Sequence, residues 1–433
     1  MNRIIRKFIH AVKEALAERR FLLTVLRFFF IKIPVGIKNV FLRLLTKADT
    51  VLALPYLYFI RKTTKIDPRT IVLITSRGAY DCNPKAICEE IRRQNLPYEL
   101  IWVTRKNNVE GEATFPPGIK TVYRDSYEFH KACAKAAVII DNSVNLSFML
   151  YKKKPGQTLI ETWHGAIGIK KFSKDANHDR VWVRKAEKQG AETDYCLSNS
   201  AFETRLFKET FWPNAEILQY GHARNDVLFL PNDRAAALEN KIRAQYDIPE
   251  NKRICLYAPT FRDDMDDSPY RIPYRRLLAA LGERFGGEWV ILTRYHLLAR
   301  KRLTNLSLPP EVINVSDYPD IQELMRITDV GVTDYSSWIC EYMLTGRPGF
   351  LFATDAAAYV KNERALFFPL NSMPFPLAEN SEQLIDNILR FDENRFAADC
   401  KAFLARHGSV DDGHAAARAV EKIKEITGLG DAQ

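Results

Sequence analysis

The stretch TIVLITSRGAYDCNPKAICEEIRRQNLPYELIWVT, residues 70–104, decides the fold. TIVLITS is a short run of apolar and β-branched residues and predicts a buried strand. NPKAICEEIRRQ predicts a helix, with Asn83 as its cap and Pro84 at its first position. YELIWVT predicts a second strand. A strand, a helix and a further strand in this order form the unit from which parallel sheets are built.

The same alternation continues along the chain and occurs in two series. In the first series HKACAKAAVIIDNS predicts a helix that runs into a strand, and TLIETWHG, TDYCLSNS and EILQYG predict further strands. A charged, alanine-rich helix at 231–250 indicates a domain junction. The second series is RICLYAP (253–259), EWVILTRYH (288–296), VINVSDY (312–318), DVGVTDY (329–335) and GFLFAT (349–354), before a helical tail at 381–429. We therefore expect an α/β protein with two Rossmann-like domains that face a cleft.

Composition supports a globular protein in a reducing compartment. Of the 433 residues, 46% are hydrophobic and 11% aromatic, which is enough to fill two cores. The seven cysteines are scattered and include no CxxC pair, so neither a zinc knuckle nor a secreted disulfide framework is indicated. Buried cysteines that act as small apolar residues are the simplest interpretation.

The net charge of +10 is concentrated at the start of the chain. Residues 1–47 hold eleven Lys/Arg and two Glu, so the remainder is almost neutral, which disfavours a nucleic-acid-binding domain. The apolar run at 21–45 is interrupted by four cations, which disfavours a transmembrane helix or a signal peptide. Apolar bulk with interleaved cations is typical of a helix lying on an anionic membrane surface. A helix packed on the protein's own surface is the alternative.

The predicted domains are thus a basic, amphipathic, membrane-associating segment at 1–66, a first Rossmann-like domain at 67–235 and a second at 236–433. In open α/β sheets ligands bind beyond the carboxyl ends of the strands, so the residues that follow each strand are the candidates for chemistry.

Polar residues follow several strands of the second series. Arg262, Arg294 and His296 come after the first two of these strands, and Ser336 and Ser337 lie between a later strand and a helix. Hydroxyls and backbone N–H groups at a helix start bind phosphate readily, although serine is also a common helix cap. Together with the neighbouring cations, the pattern favours a phosphate site.

Other phosphate and metal motifs are missing from the sequence. There is no GxxxxGK[ST] loop and no GxGxxG after a strand, which disfavours ATPase and dinucleotide-binding functions. The acidic stretch RDDMDD (262–267) has no paired histidine, so we interpret it as a solvated loop and predict no metal site.

His164 is the candidate general base. It follows a predicted strand of the first series, where the cleft faces the second. Gly165 and Gly168 leave room for a ligand, and Lys170 and Lys171 supply positive charge. Histidine is suited to accept a proton near neutral pH, although a single histidine is often structural.

Read together, these motifs resemble the CDP-glycerol glycerophosphotransferase family, which builds teichoic acids and related polyol-phosphate polymers on bacterial surfaces. The resemblance covers about residues 70–389. The matching stretches are NP (83–84), TWHGA (162–166), GHARND (221–226), YAPTFR (257–262), RYHL (294–297), TDYSS (333–337) and NERALFFPLNSMPFPLAEN (362–380). This chain departs from the family pattern at Ala166, Tyr295, Leu297 and Ala365.

The resemblance implies a GT-B fold with the acceptor domain first and the nucleotide-donor domain second. It implies that an acceptor hydroxyl attacks the β-phosphorus of CDP-glycerol or CDP-ribitol and expels CMP. His164 would be the base, and His296 would act with Arg294 and Arg364 on the diphosphate. The other implied donor-side residues are Arg262, Thr333, Asp334, Ser336, Ser337 and Glu341, and those of the acceptor side or cleft are Asn83, Trp163, Gly165, Lys170 and Lys171. No cofactor is required.

The implied partners are the activated polyol and a lipid-linked polymer or oligosaccharide of a teichoic acid or capsule. The expected location is the cytoplasmic face of the bacterial plasma membrane, as a peripheral protein. Two alternatives are a GT-B glycosyltransferase with a nucleotide-sugar donor and a non-catalytic scaffold at the membrane surface.

Overall fold

The apolar run at the start of the 70–104 stretch forms the centre of a seven-stranded sheet. All neighbouring strands are parallel, and their spatial order is β3-β2-β1-β4-β5-β6-β7. The strands are β1 (Asp67–Ile74), β2 (Glu99–Thr104), β3 (Lys120–Tyr123), β4 (Ala136–Asp141), β5 (Thr158–Glu161), β6 (Tyr195–Ser198) and β7 (Glu216–Gln219). The chain reverses direction across the sheet between β1 and β4, which is the position where open α/β sheets bind ligands.

Strand β1 is apolar from Ile71 to Ile74 because both faces of the sheet are covered there. Ile71 and Leu73 belong to a core on one face, and Val72 and Ile74 belong to a core on the other. A strand buried on both faces reads as a continuous apolar run rather than as an alternating one. The helices of this half are α1 (Cys82–Arg93), α2 (Tyr127–Lys135), α3 (Arg180–Glu192) and α4 (Ala201–Glu209).

A second parallel sheet has six strands in the order β10-β9-β8-β11-β12-β13. Its strands are β8 (Lys252–Tyr257), β9 (Glu288–Thr293), β10 (Val312–Asn314), β11 (Val330–Thr333), β12 (Gly349–Phe352) and β13 (Leu377–Ala378). The later helices are α5 (Asn232–Gln245), α6 (Tyr274–Phe285), α7 (Ile321–Ile327), α8 (Trp338–Tyr342), α9 (Ser381–Leu389), α10 (Glu393–His407) and α11 (Ala415–Thr427). The reversal point of this sheet lies between β8 and β11.

The structure is a computed structural model. It describes residues 55, 57–105, 115–149, 151–165, 168, 170–172, 179–260, 262, 270–295, 308–356, 359 and 365–429. The predicted α/β architecture with two parallel sheets is confirmed. Most of the predicted membrane-associating segment lies outside the described residues, and so does the stretch 263–269 of the acidic loop. Within the described ranges no helix is both long and apolar enough to cross a membrane.

One predicted helix start is wrong. Asp81, not Asn83, precedes α1 as its cap residue, and the buried Asn83 amide instead donates hydrogen bonds to backbone carbonyls of another segment. Helix α7 begins at Ile321, because the Asp320 carboxylate caps it by accepting from the N–H of Gln322. The start of α7 is thus capped by a side-chain hydrogen bond, whereas Asp81 makes no such bond at the start of α1.

The last helix returns to the first sheet. Val420 and Ile423 of α11 lie in the same apolar core as Ile71 and Leu73 of β1. The domain boundaries predicted from the sequence remain predictions. The predicted second domain, 236–433, nevertheless includes helix α11, which packs on the first sheet. Residues 64–433 form one compact unit.

Candidate active site

The segment after β5 is a strained turn that presents His164. Trp163 adopts φ +51°, a left-handed conformation that is uncommon for an aromatic residue. Such strain persists only where the surroundings impose it. Here the Trp163 N–H donates to the buried Glu161 carboxylate (2.9 Å), and the indole packs against Phe172 (5.1 Å between ring centroids) and Trp212 (5.4 Å). The turn is therefore rigidly supported.

Gly165 is required by this packing. A Cβ at position 165 would lie 2.9 Å from Nε1 of Trp163, closer than non-bonded atoms tolerate. The small residue therefore allows the backbone to pass against the indole, which is a different reason from the one suggested by the sequence.

The His164 imidazole is held in one tautomer. Its Nδ1 lies 2.7 Å from the backbone oxygen of Asn142, and because a carbonyl can only accept, Nδ1 carries the proton. The side chain is exposed at the surface of the turn. The protein packed around it nevertheless disfavours a charge, and Arg224 and Arg77 act in the same direction, so the pKa of His164 is lowered to about 4. At neutral pH Nε2 is unprotonated and can accept a proton.

Four consecutive backbone carbonyls of the turn, at residues 162–165, are bound by two side chains. Asn83 donates to the carbonyls of Thr162 (2.9 Å) and Trp163 (3.1 Å). Arg224 donates to those of His164 (2.6 Å) and Gly165 (3.1 Å). The sequence analysis did not assign a role to Arg224, although its motif GHARND was among the matching stretches.

Glu341 lies against this turn rather than at an open donor surface. Its carboxylate is buried and accepts from Nε (2.8 Å) and Nη2 (2.6 Å) of Arg224, and from Nε2 of Gln322 (3.1 Å). Burial opposes ionisation, but Arg224 and His222 outweigh it and lower the pKa of Glu341. The residue predicted for the donor side thus connects α8 to the His164 turn.

Arg262 lies at the carboxyl ends of β8 and β11 and is fully engaged by acids. Its Nη1 lies 2.6 Å from Asp334, and Nε and Nη2 lie 2.8 Å and 2.9 Å from Asp355. The Asp334 carboxylate also accepts from the backbone N–H of Thr260 at 2.8 Å. Its neighbour Thr333 is buried and donates to the carbonyl of Ala258. This group of side chains holds the strand ends together.

Arg294 is different, because it has no carboxylate partner among the residues that the structure describes. Its Nη2 makes only long contacts with the carbonyls of Tyr318 (3.4 Å) and Pro319 (3.5 Å), and its Nε is buried without a partner. Burial and the charge of Arg77 lower the pKa of Arg294 to about 10. A buried cation without a carboxylate in direct contact, among the residues that the structure describes, is suited to bind an anion. Because Arg77 also lowers the pKa of His164, Arg77 lies within electrostatic reach of both groups.

The remaining predicted residues border this region. Ser337 precedes α8, and its side chain does not cap the helix; the hydroxyl of Ser336 likewise has no hydrogen-bond partner in the described part of the chain. Lys171 donates its N–H to the carbonyl of Ala365, and Lys170 reaches Thr260 Oγ1 at 3.3 Å, so their segment joins the two halves. His296 and Arg364 lie outside the described residues.

A neutral imidazole lies on one side, and on the other lie two hydroxyls and Arg294, which has no carboxylate partner in the described ranges. This combination fits a reaction at phosphorus. The base can take a proton from an alcohol, and the cation can stabilise negative charge that develops on a phosphate. No cluster of potential metal ligands occurs in the described ranges.

Comparison with known proteins decides the family. The family model for CDP-Glycerol:Poly(glycerophosphate) glycerophosphotransferase matches residues 56–425. The chain belongs to this family. The match spans both sheets and the turn that carries His164.

Individual relatives of this glycerophosphotransferase-family chain agree. It is 31% identical over 378 residues to a teichoic acid poly(glycerol phosphate) polymerase of Staphylococcus epidermidis, covering 82% of this chain and 50% of that protein. It is 28% identical over 358 residues to a teichoic acid glycerol-phosphate transferase of Staphylococcus aureus, covering 79% and 90%. The chain thus spans about half the length of the Staphylococcus epidermidis polymerase and of a similar polymerase of Bacillus subtilis.

Solved structures of the wall teichoic acid polymerase TagF share the fold. One superposes with a TM-score of 0.75 at 29% identity, covering 92% of this chain and all of that one. A histidine-to-asparagine variant of TagF soaked with CDPG superposes at 0.74 with 28% identity, covering 92% of this chain and 99% of that one. The predicted α/β GT-B fold is confirmed by this similarity.

Proposed function

We propose that the protein transfers glycerol phosphate from CDP-glycerol to a hydroxyl of a growing cell-surface polymer and releases CMP. The observation that carries this proposal is the His164 turn, which presents an unprotonated Nε2 in a strained, fully supported loop. Family membership and the CDPG soak of the similar TagF variant support the choice of donor.

In the proposed reaction the acceptor oxygen attacks the β-phosphorus of the donor while Nε2 of His164 takes the hydroxyl proton. The bond between the β-phosphorus and the bridging oxygen breaks, and CMP leaves with the electron pair. Arg294 stabilises charge on the phosphates, together with the backbone and hydroxyls at Ser336 and Ser337. Such transfer depends mainly on positioning and on electrostatic stabilisation, which these fixed groups supply.

We assign His296 and Arg364 to the diphosphate by family resemblance alone. We also expect Thr333, Asp334 and Arg262 to shape the donor side from beneath, because their polar groups are occupied by one another and by the backbone.

The acceptor in this proposal is a membrane-linked polymer of a teichoic acid or capsule, and the protein works at the cytoplasmic face of the plasma membrane. The basic, apolar composition of residues 1–47 supports attachment to an anionic leaflet. The names of the teichoic acid relatives support the class of polymer.

The test is nucleotide release by the purified full chain with CDP-glycerol, CDP-ribitol or a UDP-sugar, in the presence and absence of a lipid-linked polymer extract. We expect CMP release that requires the acceptor, and an acceptor mass gain of one or more glycerol phosphates. A mass gain of ribitol phosphate would move the protein to a different donor. Release of UDP with transfer of a sugar would overturn the proposal.

A further inference from the structure

Arg224 is the residue through which the His164 turn is connected to the second sheet. Two of its nitrogens, Nη1 and Nη2, hold the carbonyls of His164 and Gly165 at 2.6 Å and 3.1 Å. Its backbone N–H donates to Oδ1 of Asn83 (3.0 Å), the other side chain that binds carbonyls of this turn. Hydrogen bonds from Arg224 therefore reach the turn both directly and through Asn83.

The opposite edge of the guanidinium is directed at Glu341. Nε and Nη2 lie 2.8 Å and 2.6 Å from the same carboxylate oxygen, and the side chains of Arg224 and Glu341 are only 9% and 3% exposed. Glu341 lies in α8, whose first residue follows Ser337 directly. The planar guanidinium thus connects Glu341 of α8, the candidate phosphate-binding helix, with the turn that carries the candidate base.

We propose that Arg224 is a positioning residue for His164, which fixes the turn of the base against Glu341 of α8. This inference rests on the proposed function, because it assigns His164 the role of the base. Arg224 touches neither reacting atom in this scheme and acts through the backbone of the turn.

The geometry requires an arginine. A guanidinium offers five N–H donors in one rigid plane, which here serve two carbonyls and a carboxylate, whereas an ammonium is a point charge without this fork. A misplacement of a catalytic group by about 1 Å can cost about 10²-fold in rate. Loss of the fork should therefore reduce turnover even where the positive charge is kept.

The charge of Arg224 provides a second, independent readout. Three cationic groups act on His164 in the described structure, namely Arg77, Arg224 and the His222 imidazolium, and all of them disfavour its protonation. Removing the Arg224 charge should raise the pKa of His164, whereas replacing arginine with lysine should leave that pKa nearly unchanged.

The experiment compares full-length Arg224→Lys and Arg224→Gln with wild type. The side-chain nitrogens of His164 are titrated by NMR, with His164→Ala used to assign the signal among the eight histidines. Acceptor-dependent CMP release is measured from pH 4 to 8. We expect kcat to fall about 10²-fold in both variants. Only Arg224→Gln should raise the His164 pKa and move the acid limb of the rate profile to higher pH.

Arg243→Gln is the matched control. Arg243 is also a largely buried arginine that binds backbone carbonyls, those of Pro249 and Lys252, and a glutamate, Glu239. Its loss should lower stability without changing the His164 pKa or the kcat of the folded protein. If Arg224→Gln fails to fold, Arg224→Lys and Glu341→Gln still test the turn.

Wild-type kcat in the folded Arg224 variants, with an unshifted His164 signal, would overturn the inference. The NMR titration needs no turnover. If wild type releases no nucleotide from any donor, the proposed function fails while the effect of Arg224 on the His164 turn is still measured.

Discussion

The His164 turn and the Arg262 cluster both lie at the carboxyl ends of parallel strands, yet they use their polar groups in opposite ways. Around His164 the backbone carbonyls are bound and the reactive Nε2 is left free. Around Arg262 the side chain itself is bound, by Asp334 and Asp355.

This difference distinguishes residues that can contact substrate from residues that support the fold. A group that is to exchange a proton or touch a ligand needs an unoccupied atom, whereas a buried charge whose donors are all used stabilises its surroundings. By this criterion His164 and Arg294 are candidates for direct contact with substrate, and Arg262 and Glu341 are candidates for support.

The largest expected effect on stability comes from a substitution in the Arg262 cluster, which tests whether this cluster supports the fold. Arg262→Gln leaves Asp334 buried without its cation, and breaking a buried ion pair in this way typically costs about 3–5 kcal/mol. We expect a large fall in the free energy of unfolding, measured by urea denaturation followed by circular dichroism. Arg276→Gln is the control, because the Arg276–Glu382 pair is exposed and solvent screens the attraction between its charges. Equal effects of the two substitutions would show that the cluster is not a scaffold.

A smaller effect on stability is expected from Gly165→Ala, which tests the packing that supports the His164 turn. The Cβ of Gly165→Ala would lie 2.9 Å from the Trp163 indole, which is itself packed against other aromatic rings, and overpacking of this kind costs about 1–3 kcal/mol. We expect a lower unfolding midpoint and slower CMP release.

Gly282→Ala serves as the control for the glycine substitution. Gly282 lies in α6, where a Cβ would only reach ordinary contact with the Gly287 carbonyl at 3.4 Å. Alanine is the better helix former by about 1 kcal/mol, so this variant should be as stable as wild type or more so. A Gly165→Ala protein indistinguishable from Gly282→Ala would contradict the tight packing of the turn.

Another prediction concerns pH and contrasts His222 with His164. Burial alone would lower the pKa of His222, but the Glu203 carboxylate at 2.9 Å, with a contribution from Glu341, raises it to about 9. An unfolded histidine has a pKa of about 6.5. Its stabilisation should therefore be complete below pH 6.5 and be lost as pH rises through about 9. The unfolding midpoint of wild type minus that of His222→Gln should shrink between pH 6.5 and 9.5. A difference that does not depend on pH would show that His222 is neutral in the fold.

Sequence reasoning predicted the strands well and the pairing of side chains poorly. Strands β1 and β8 are recognisable because burial on both faces gives each a continuous buried run, at 71–74 and 254–257. The roles of Asn83 and Glu341 were not predictable, because each depends on a partner more than 75 residues away along the chain. A polar residue after a strand looks the same in sequence whether it faces a ligand or a buried counter-ion.

The placement of α11 was missed for a related reason. Its apolar stripe fits either sheet, and nothing in a local pattern indicates that the chain crosses back to the first core. By contrast, the position of His164 just after a strand could be predicted, because the apolar run before it and the glycine beside it are visible in the sequence, while its role as the base stays a prediction.

The role of His164 as the base can be tested by acceptor-dependent CMP release by His164→Ala. His414→Ala is the matched control, because it removes an exposed histidine that directly precedes α11. If His164 is the base, we expect the turnover of His164→Ala to fall by about 10²–10⁴-fold with an unchanged unfolding midpoint. His414→Ala should keep wild-type turnover. Wild-type turnover in His164→Ala would contradict the account.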